Sequence, residues 1–133
     1  MKNLNWISLN YRGTIYSKKN SKQIIRAGGR MMLVSSPKAK RNEEDMAGEF
    51  ALQVIKNRWK PHGKYSVSMY FWRESNIRRD LDNLATSVLD ALVKAGALED
   101  DNVSKVGELH IYDMGVDKEL VGVKVDLDGE DNG

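Results

Sequence analysis

The stretch RRDLDNLATSVLDALVKAGALEDD, residues 78–101, places a helix between two acidic clusters. Leu84, Val88, Ala91 and Ala95 share one face of a 100° wheel, while Leu89 and Val93 lie nearly opposite. Asn83 can cap such a helix and Gly96 stands where a left-handed residue ends one, which predicts a helix from about Leu84 to Ala95. Its two apolar faces call for burial on two sides, one of them against a sheet, so the fold class is α+β. The second face is one candidate dimer surface.

Outward from that helix, Tyr65, Val67, Met69 and Phe71 alternate with Ser66, Ser68, Tyr70 and Trp72 as a strand. The turn Pro61-His62-Gly63 precedes it, and the polar loop RESNIRR leads from it to Asp80. Further upstream, Ser36-Pro37 opens a helix whose stripe is Met46, Phe50 and Val54, widened by Ala47, Ala51 and Ile55, and which should stop near Trp59. Two short apolar runs around Gly28-Gly29 predict a hairpin over Gln23–Val34, and residues 3–10 predict a first strand. Between them, YSKKNSKQ reads as a mobile basic loop. Downstream, Val103–Tyr112, a turn around Met114-Gly115 and Leu120–Leu127 predict a closing pair of strands. The architecture is one domain over residues 1–127, a small mixed sheet packed by two main helices, with an acidic flexible tail over 128–133.

A chain of 133 residues, 41% hydrophobic and 30% charged, suits one compact domain without staples. It has no cysteine, which excludes disulfide scaffolds, thiolate zinc sites and cysteine nucleophiles. No apolar run approaches the roughly 18 residues of a membrane span, and MKNLNWISLNYRG lacks a signal-peptide core, so a cytoplasmic protein with no membrane partner is expected. The net charge of +2 hides a division at Arg79/Asp80. Residues 1–79 hold 17 Lys and Arg against 5 Asp and Glu; residues 80–133 hold 4 against 14. Such asymmetry suggests a polyanion partner for one part of the chain and a metal or solvation role for the other.

Asp80 and Asp82, two apart on a segment expected to be extended, would put both carboxylates on one side, close enough to share a cation. Magnesium takes oxygen ligands and is commonly held by one or two carboxylates with substrate phosphates. Asp100 and Asp101 offer a third ligand, and Arg78 and Arg79 would hold a phosphate beside the pair. The plain alternative is capping chemistry before a helix. A helix of about 12 residues is about 18 Å long, so Asp101 reaches Asp82 only if the chain after Gly96 runs back or a second subunit supplies it. Lys18, Lys19, Lys22, Arg26 and Arg30, with Tyr11 and Tyr16 nearby, form the candidate phosphate clamp, which Lys38, Lys40 and Arg41 could extend. Trp6, Trp59 and Trp72 read as core or interface. His62 and His110 lack partners at ligand spacing, and Asp126, Asp128, Glu130 and Asp131 lack the full spacing of a calcium loop.

The order RRDLDNL, then DAL at 90–92, AG at 95–96 and DD at 100–101 resembles the RusA-type Holliday junction resolvases, or crossover junction endodeoxyribonucleases. The motifs span 24 residues; with the basic loop the resemblance covers about a third of the chain. It implies a small, intertwined homodimer that binds four-way branched DNA and makes paired symmetric nicks with Mg2+ or Mn2+, leaving 5′-phosphate and 3′-hydroxyl ends. It makes Asp80, Asp82 and Asp101 the catalytic metal ligands; beside such a site the charge of Lys18, Lys19, Lys22, Arg26, Arg30, Arg78 and Arg79 reads as DNA-binding. Asp90 also matches, and is read as a helix-surface or interface carboxylate. The chain departs from the family where a catalytic lysine is usual: it has Thr86, with Arg79, Lys94 and Lys105 as possible stand-ins. The rival from another class is a branched-DNA-binding protein with little or no catalysis; a nucleotide hydrolase would leave the basic loop without a purpose.

Overall fold

The computed structural model describes residues 5–16, 22–35, 37–76 and 80–129. The elements run β1 (Trp6–Arg12), β2 (Lys22–Ala27), β3 (Arg30–Ser35), α1 (Pro37–Lys56), β4 (Tyr65–Arg73), α2 (Leu81–Lys94), β5 (Val106–Val116) and β6 (Gly122–Gly129). Four strands form a mixed sheet in the order β1-β6-β4-β5, and β2 and β3 pair separately as a hairpin. Within the sheet β4 and β5 are parallel, while β6 is antiparallel to both of its neighbours. The expected α+β architecture with a mixed sheet and two helices is therefore the observed one.

The period-2 pattern of β4 does what it predicts: Tyr65, Val67, Met69 and Phe71 are buried under the helices. They meet Val123, Val125 and Leu127 of β6 and Ile7 and Leu9 of β1 in one core. From α1, Met46, Ala47, Phe50 and Val54 enter that core, but Ile55, expected on the same stripe, is 73% exposed. The stripe is narrower than the wheel suggests because α1 lies mainly against β1 and α2. From α2, Leu84, Val88 and Ala91 are buried and Leu89 and Val93 half-buried against the same core. Both apolar faces thus touch the core within the chain, the Leu89 and Val93 face only in part.

The last two strands correct the expected topology. β5 runs on through Met114-Gly115 to Val116, and the chain turns at Asp117, whose Oδ1 accepts from the backbone N–H groups of Glu119 at 3.0 Å and Leu120 at 3.2 Å. β5 and β6 do not pair with each other: β6 inserts between β1 and β4, leaving β5 an edge. β6 also extends to Gly129, so the tail expected from Asp128 starts inside the strand, and residues 130–133 lie outside the described residues.

One position of the opposite edge, β1, is closed by a side chain. Gln53 of α1 accepts from the Asn10 N–H through Oε1 at 2.8 Å and donates to the Asn10 carbonyl through Nε2 at 2.7 Å, imitating a neighbouring strand. The hairpin turns on Gly28 and Gly29, with φ of 59° and 78°, the left-handed pair that a two-residue turn of this hand requires.

Gly122 opens β6 at φ 140°, packed so closely on β1 that a Cβ there would collide with the Tyr11 carbonyl oxygen. Strain and backbone collision coincide, and the neighbour is not a flexible side-chain tip. Gly122→Ala should lower unfolding free energy by about 3 kcal/mol or more, measured by urea denaturation; Gly48→Ala, with open space around its Cβ, serves as the mild control.

Candidate active site

The helix that decides the fold begins earlier than its sequence suggests. The N–H groups of Asn83 and Leu84 both donate to the Asp80 carbonyl at 3.1 Å, so the helical ladder starts there, with Asp80 as N-cap and Asn83 in the first turn. Asp80 is extended at φ −85°, ψ 111°, and makes no side-chain cap; its Oδ2 accepts from Asn83 Nδ2 at 3.4 Å. Asp82 is therefore a first-turn helical residue. The extended Asp-x-Asp geometry expected for residues 80–82 is not present.

Both carboxylates are exposed at the positive end of α2, where the helix dipole favours negative charge. The fold aims that end well. β4 delivers the chain at its carboxyl end, where Arg73 forks onto Asp113 of β5 through Nε at 2.9 Å and Nη2 at 3.1 Å and donates to the Ser75 carbonyl at 3.1 Å. Bonding to Arg73 holds the Asp113 carboxyl below the ordinary carboxylate range, with the Gly115 N–H also bonded to it. Arg78 and Arg79 lie outside the described residues, as do Lys18, Lys19 and the side chains of Lys22 and Arg26; Arg30 is exposed beside the hairpin turn.

Asp101 is at the other end. α2 ends with Gly96 N–H to the Val93 carbonyl at 3.1 Å and Ala97 N–H to the Leu92 carbonyl at 2.9 Å, a Schellman closure. The buried Trp59 indole then donates to the Ala97 carbonyl at 2.9 Å, and Tyr65 N–H donates to the Lys105 carbonyl at 2.9 Å. Residues 97–105 are thereby fixed at the start of β4, whereas Asp80 follows its end. Among the described residues, no three acidic or histidine side chains converge to hold a metal ion.

Asp101 instead joins Asp100 and Asp90. Its N–H donates to Asp100 Oδ1 at 2.7 Å. Side-chain hydrogen bonding with Asp100 raises the Asp101 carboxyl above its ordinary value, burial and the charges of Asp100 and Asp90 add to the rise, and its backbone hydrogen bond opposes it. Asp90, read from sequence as a surface or interface carboxylate, thus belongs to this second acidic group. No local spacing signals that meeting, because it depends on the reversal of the chain after Gly96.

Thr86 is exposed, and its Oγ1 donates back to the Asp82 carbonyl at 3.0 Å, so its hydroxyl is occupied within its own helix. Of the possible substitutes, Lys94 lies in the last turn of α2, and Lys105 pairs with Glu99 at 2.9 Å near Asp101. Neither approaches Asp82 within the chain.

A second wall rises beside the first turns of α2. Asn42 is buried: its Nδ2 donates to the Thr14 carbonyl at 2.8 Å and to the Tyr11 hydroxyl at 3.3 Å, and its Oδ1 accepts from Tyr16 N–H at 3.0 Å. The Ser87 hydroxyl of α2 faces the Tyr16 carbonyl at 3.5 Å. Residues 13–16 are thus held between the two helices immediately before the basic segment.

The family model of the endodeoxyribonuclease RusA matches residues 13–127 of the 133-residue chain. The chain belongs to the RusA endodeoxyribonuclease family. No curated protein matches it. Membership makes it a DNA-acting nuclease by family, and among the described residues no helix is long and apolar enough to cross a membrane.

Because the Asp101 carboxyl is harder to ionise in the fold than in the unfolded chain, the native state binds protons more readily than the unfolded state there. Its contribution becomes less favourable as pH rises from the ordinary aspartate range of about 3.9 through the raised value. Asp101→Asn should therefore raise Tm at pH 7 in metal-free buffer, with the gain fading as pH falls below the aspartate range; a pH series of thermal melts measures it.

Proposed function

We propose that this RusA-family protein is a metal-dependent Holliday junction resolvase whose active site is completed across a homodimer. The observation that carries the reading is the placement of Asp80 and Asp82 at one end of α2 and Asp101 past the other. The hard oxygen donors of Asp80 and Asp82 suit Mg2+, or Mn2+, but supply two of the three carboxylates that the family resemblance requires. Two copies laid antiparallel about a dyad bring opposite ends of α2 together twice, so each Asp80/Asp82 pair gains an Asp101 from the partner. A four-way junction is itself nearly two-fold symmetric, which suits paired symmetric nicks.

In this reading Asp80, Asp82 and the second subunit's copy of Asp101 hold the cation, and the α2 N-terminus favours the scissile phosphate beside them. When bound, the cation polarises that phosphate and makes its water a better nucleophile. Arg78 and Arg79 adjoin the site in sequence and are assigned to the phosphate strand, as are Lys18, Lys19, Lys22, Arg26 and Arg30. Thr86 supplies no positive charge. The alternative, a branched-DNA-binding protein with little catalysis, is favoured by that one residue.

Asp82→Asn should abolish nicking of a labelled synthetic four-way junction in Mg2+, a fall of about a hundredfold or more by analogy with the removal of other groups that stabilise transition-state charge, without loss of binding in Ca2+. Subunit mixing tests the dimer. Neither the Asp82→Asn nor the Asp101→Asn protein should cut alone, but their mixture should recover single nicks, because one heterodimer site then has all its aspartates. A dead mixture from an active wild type would place all three ligands in one chain. Thr86→Lys should raise the cleavage rate about tenfold or more, by analogy with the worth of one well-placed charge in phosphoryl chemistry; an unchanged rate would mean that another cation already serves.

A further inference from the structure

We propose that the groove between the end of β1 and the start of α1 is a separate DNA subsite, in which the Tyr16 ring stacks an unpaired base while Lys38 and Arg41 hold the phosphate next to it. This rests on the resolvase reading and adds to it a basis for choosing branched over ordinary duplex DNA.

The groove has a volume of about 540 Å³ and an open mouth. Its floor is built: the buried Asn42 makes three hydrogen bonds there, one of them accepted from the Tyr16 N–H, and the Ser87 hydroxyl lies 3.5 Å from the Tyr16 carbonyl. The Tyr16 ring is half-exposed above this floor on a backbone that is already placed. Stacking on such a ring costs little ordering, which is why fixed aromatics serve single-stranded nucleic acids without regard to sequence.

Among the described residues, the cations are not spent on carboxylates. Lys38, Lys40 and Arg41 are exposed near the start of α1, whose first turn holds no acidic residue. Positive side chains there oppose the helix dipole. None of the three makes an ion pair among the described residues; Lys38 Nζ instead lies 4.5 Å from the centre of the Tyr16 ring. That amine is placed to move from the ring to a phosphate as a base takes its place. Asp45, one turn beyond Arg41 on α1, repels a phosphate and keeps it toward the Lys38 end.

Position ties the groove to the cutting site. Ser87, which touches Tyr16, is the residue after Thr86, and its hydroxyl also reaches the Asn83 carbonyl at 3.3 Å, one turn from Asp80. A strand cut at Asp80 and Asp82 passes this wall. At a branch point the bases are the ones most cheaply unstacked, and continuous duplex has none to offer at similar cost.

The test uses a four-way junction with 2-aminopurine at the branch point, in Ca2+, beside a duplex of the same sequence. Wild type and Tyr16→Phe should change the probe's fluorescence on binding. Tyr16→Ala should abolish that change and bind the junction about tenfold more weakly, with duplex affinity within about twofold of wild type. Lys38→Ala with Arg41→Ala, both at exposed positions, should reduce the salt slope of junction binding by roughly 0.7, the share of the one single-strand phosphate that is no longer neutralised. A wild type that binds the junction with no fluorescence change, or variants that weaken junction and duplex alike, overturns the subsite and leaves the resolvase reading standing. A wild type that fails to bind the junction overturns both.

Discussion

Two adjacent parallel strands cannot be joined by a turn; the chain must leave one end of the sheet and return to the other. That constraint on β4 and β5 creates α2 and gives the molecule its polarity. At one end lie the start of α2, the start of α1, the clamped segment 13–16 and the Arg73–Asp113 fork. At the other lie Trp59, the Schellman closure, Lys105 and the acids at 99–101. Residues that are neighbours in a sequence motif are thereby separated by the length of a helix.

The same polarity sorts the charges. The two helices present their positive ends in one direction, and that is where phosphate-seeking side chains and the first aspartate pair are found. At the far end, Asp90, Asp100 and Asp101 interact strongly enough to disturb the Asp101 carboxyl. Groups held at such a cost are commonly functional, although ion-pair networks also disturb pKa values. The positions that break local rules here are three cations at a helix start and a group of neighbouring acids past a helix end.

Much of this was legible in the sequence, for identifiable reasons. The alternation in β4, the glycine pair of the hairpin and the Met46-Phe50-Val54 stripe each report a local period, and each element formed where that period placed it. The start of α2 did not, because Asn83 is as good a cap by type as Asp80, and the choice depends on where β4 releases the chain. The pairing of β5 with β4 rather than β6 is likewise a long-range choice: β5 has an exposed, mixed pattern that names no partner. Of the site, residue types and their order were readable, whereas the meeting of Asp101 with Asp90 depends on a reversal anchored by Trp59, a residue 38 positions away from its acceptor Ala97.

Gln53 matters equally for what it forbids. By occupying both backbone groups of Asn10 it blocks pairing at that position of β1, whereas along the other edge, β5, Leu109, Tyr112, Met114 and Val116 are all more than 40% exposed. A sheet open on both sides can add copies without end and grow into a fibre; a sheet open on one can add a single neighbour, after which no free edge remains. One glutamine side chain thus makes the β1 edge a poorer place for lateral growth than the β5 edge.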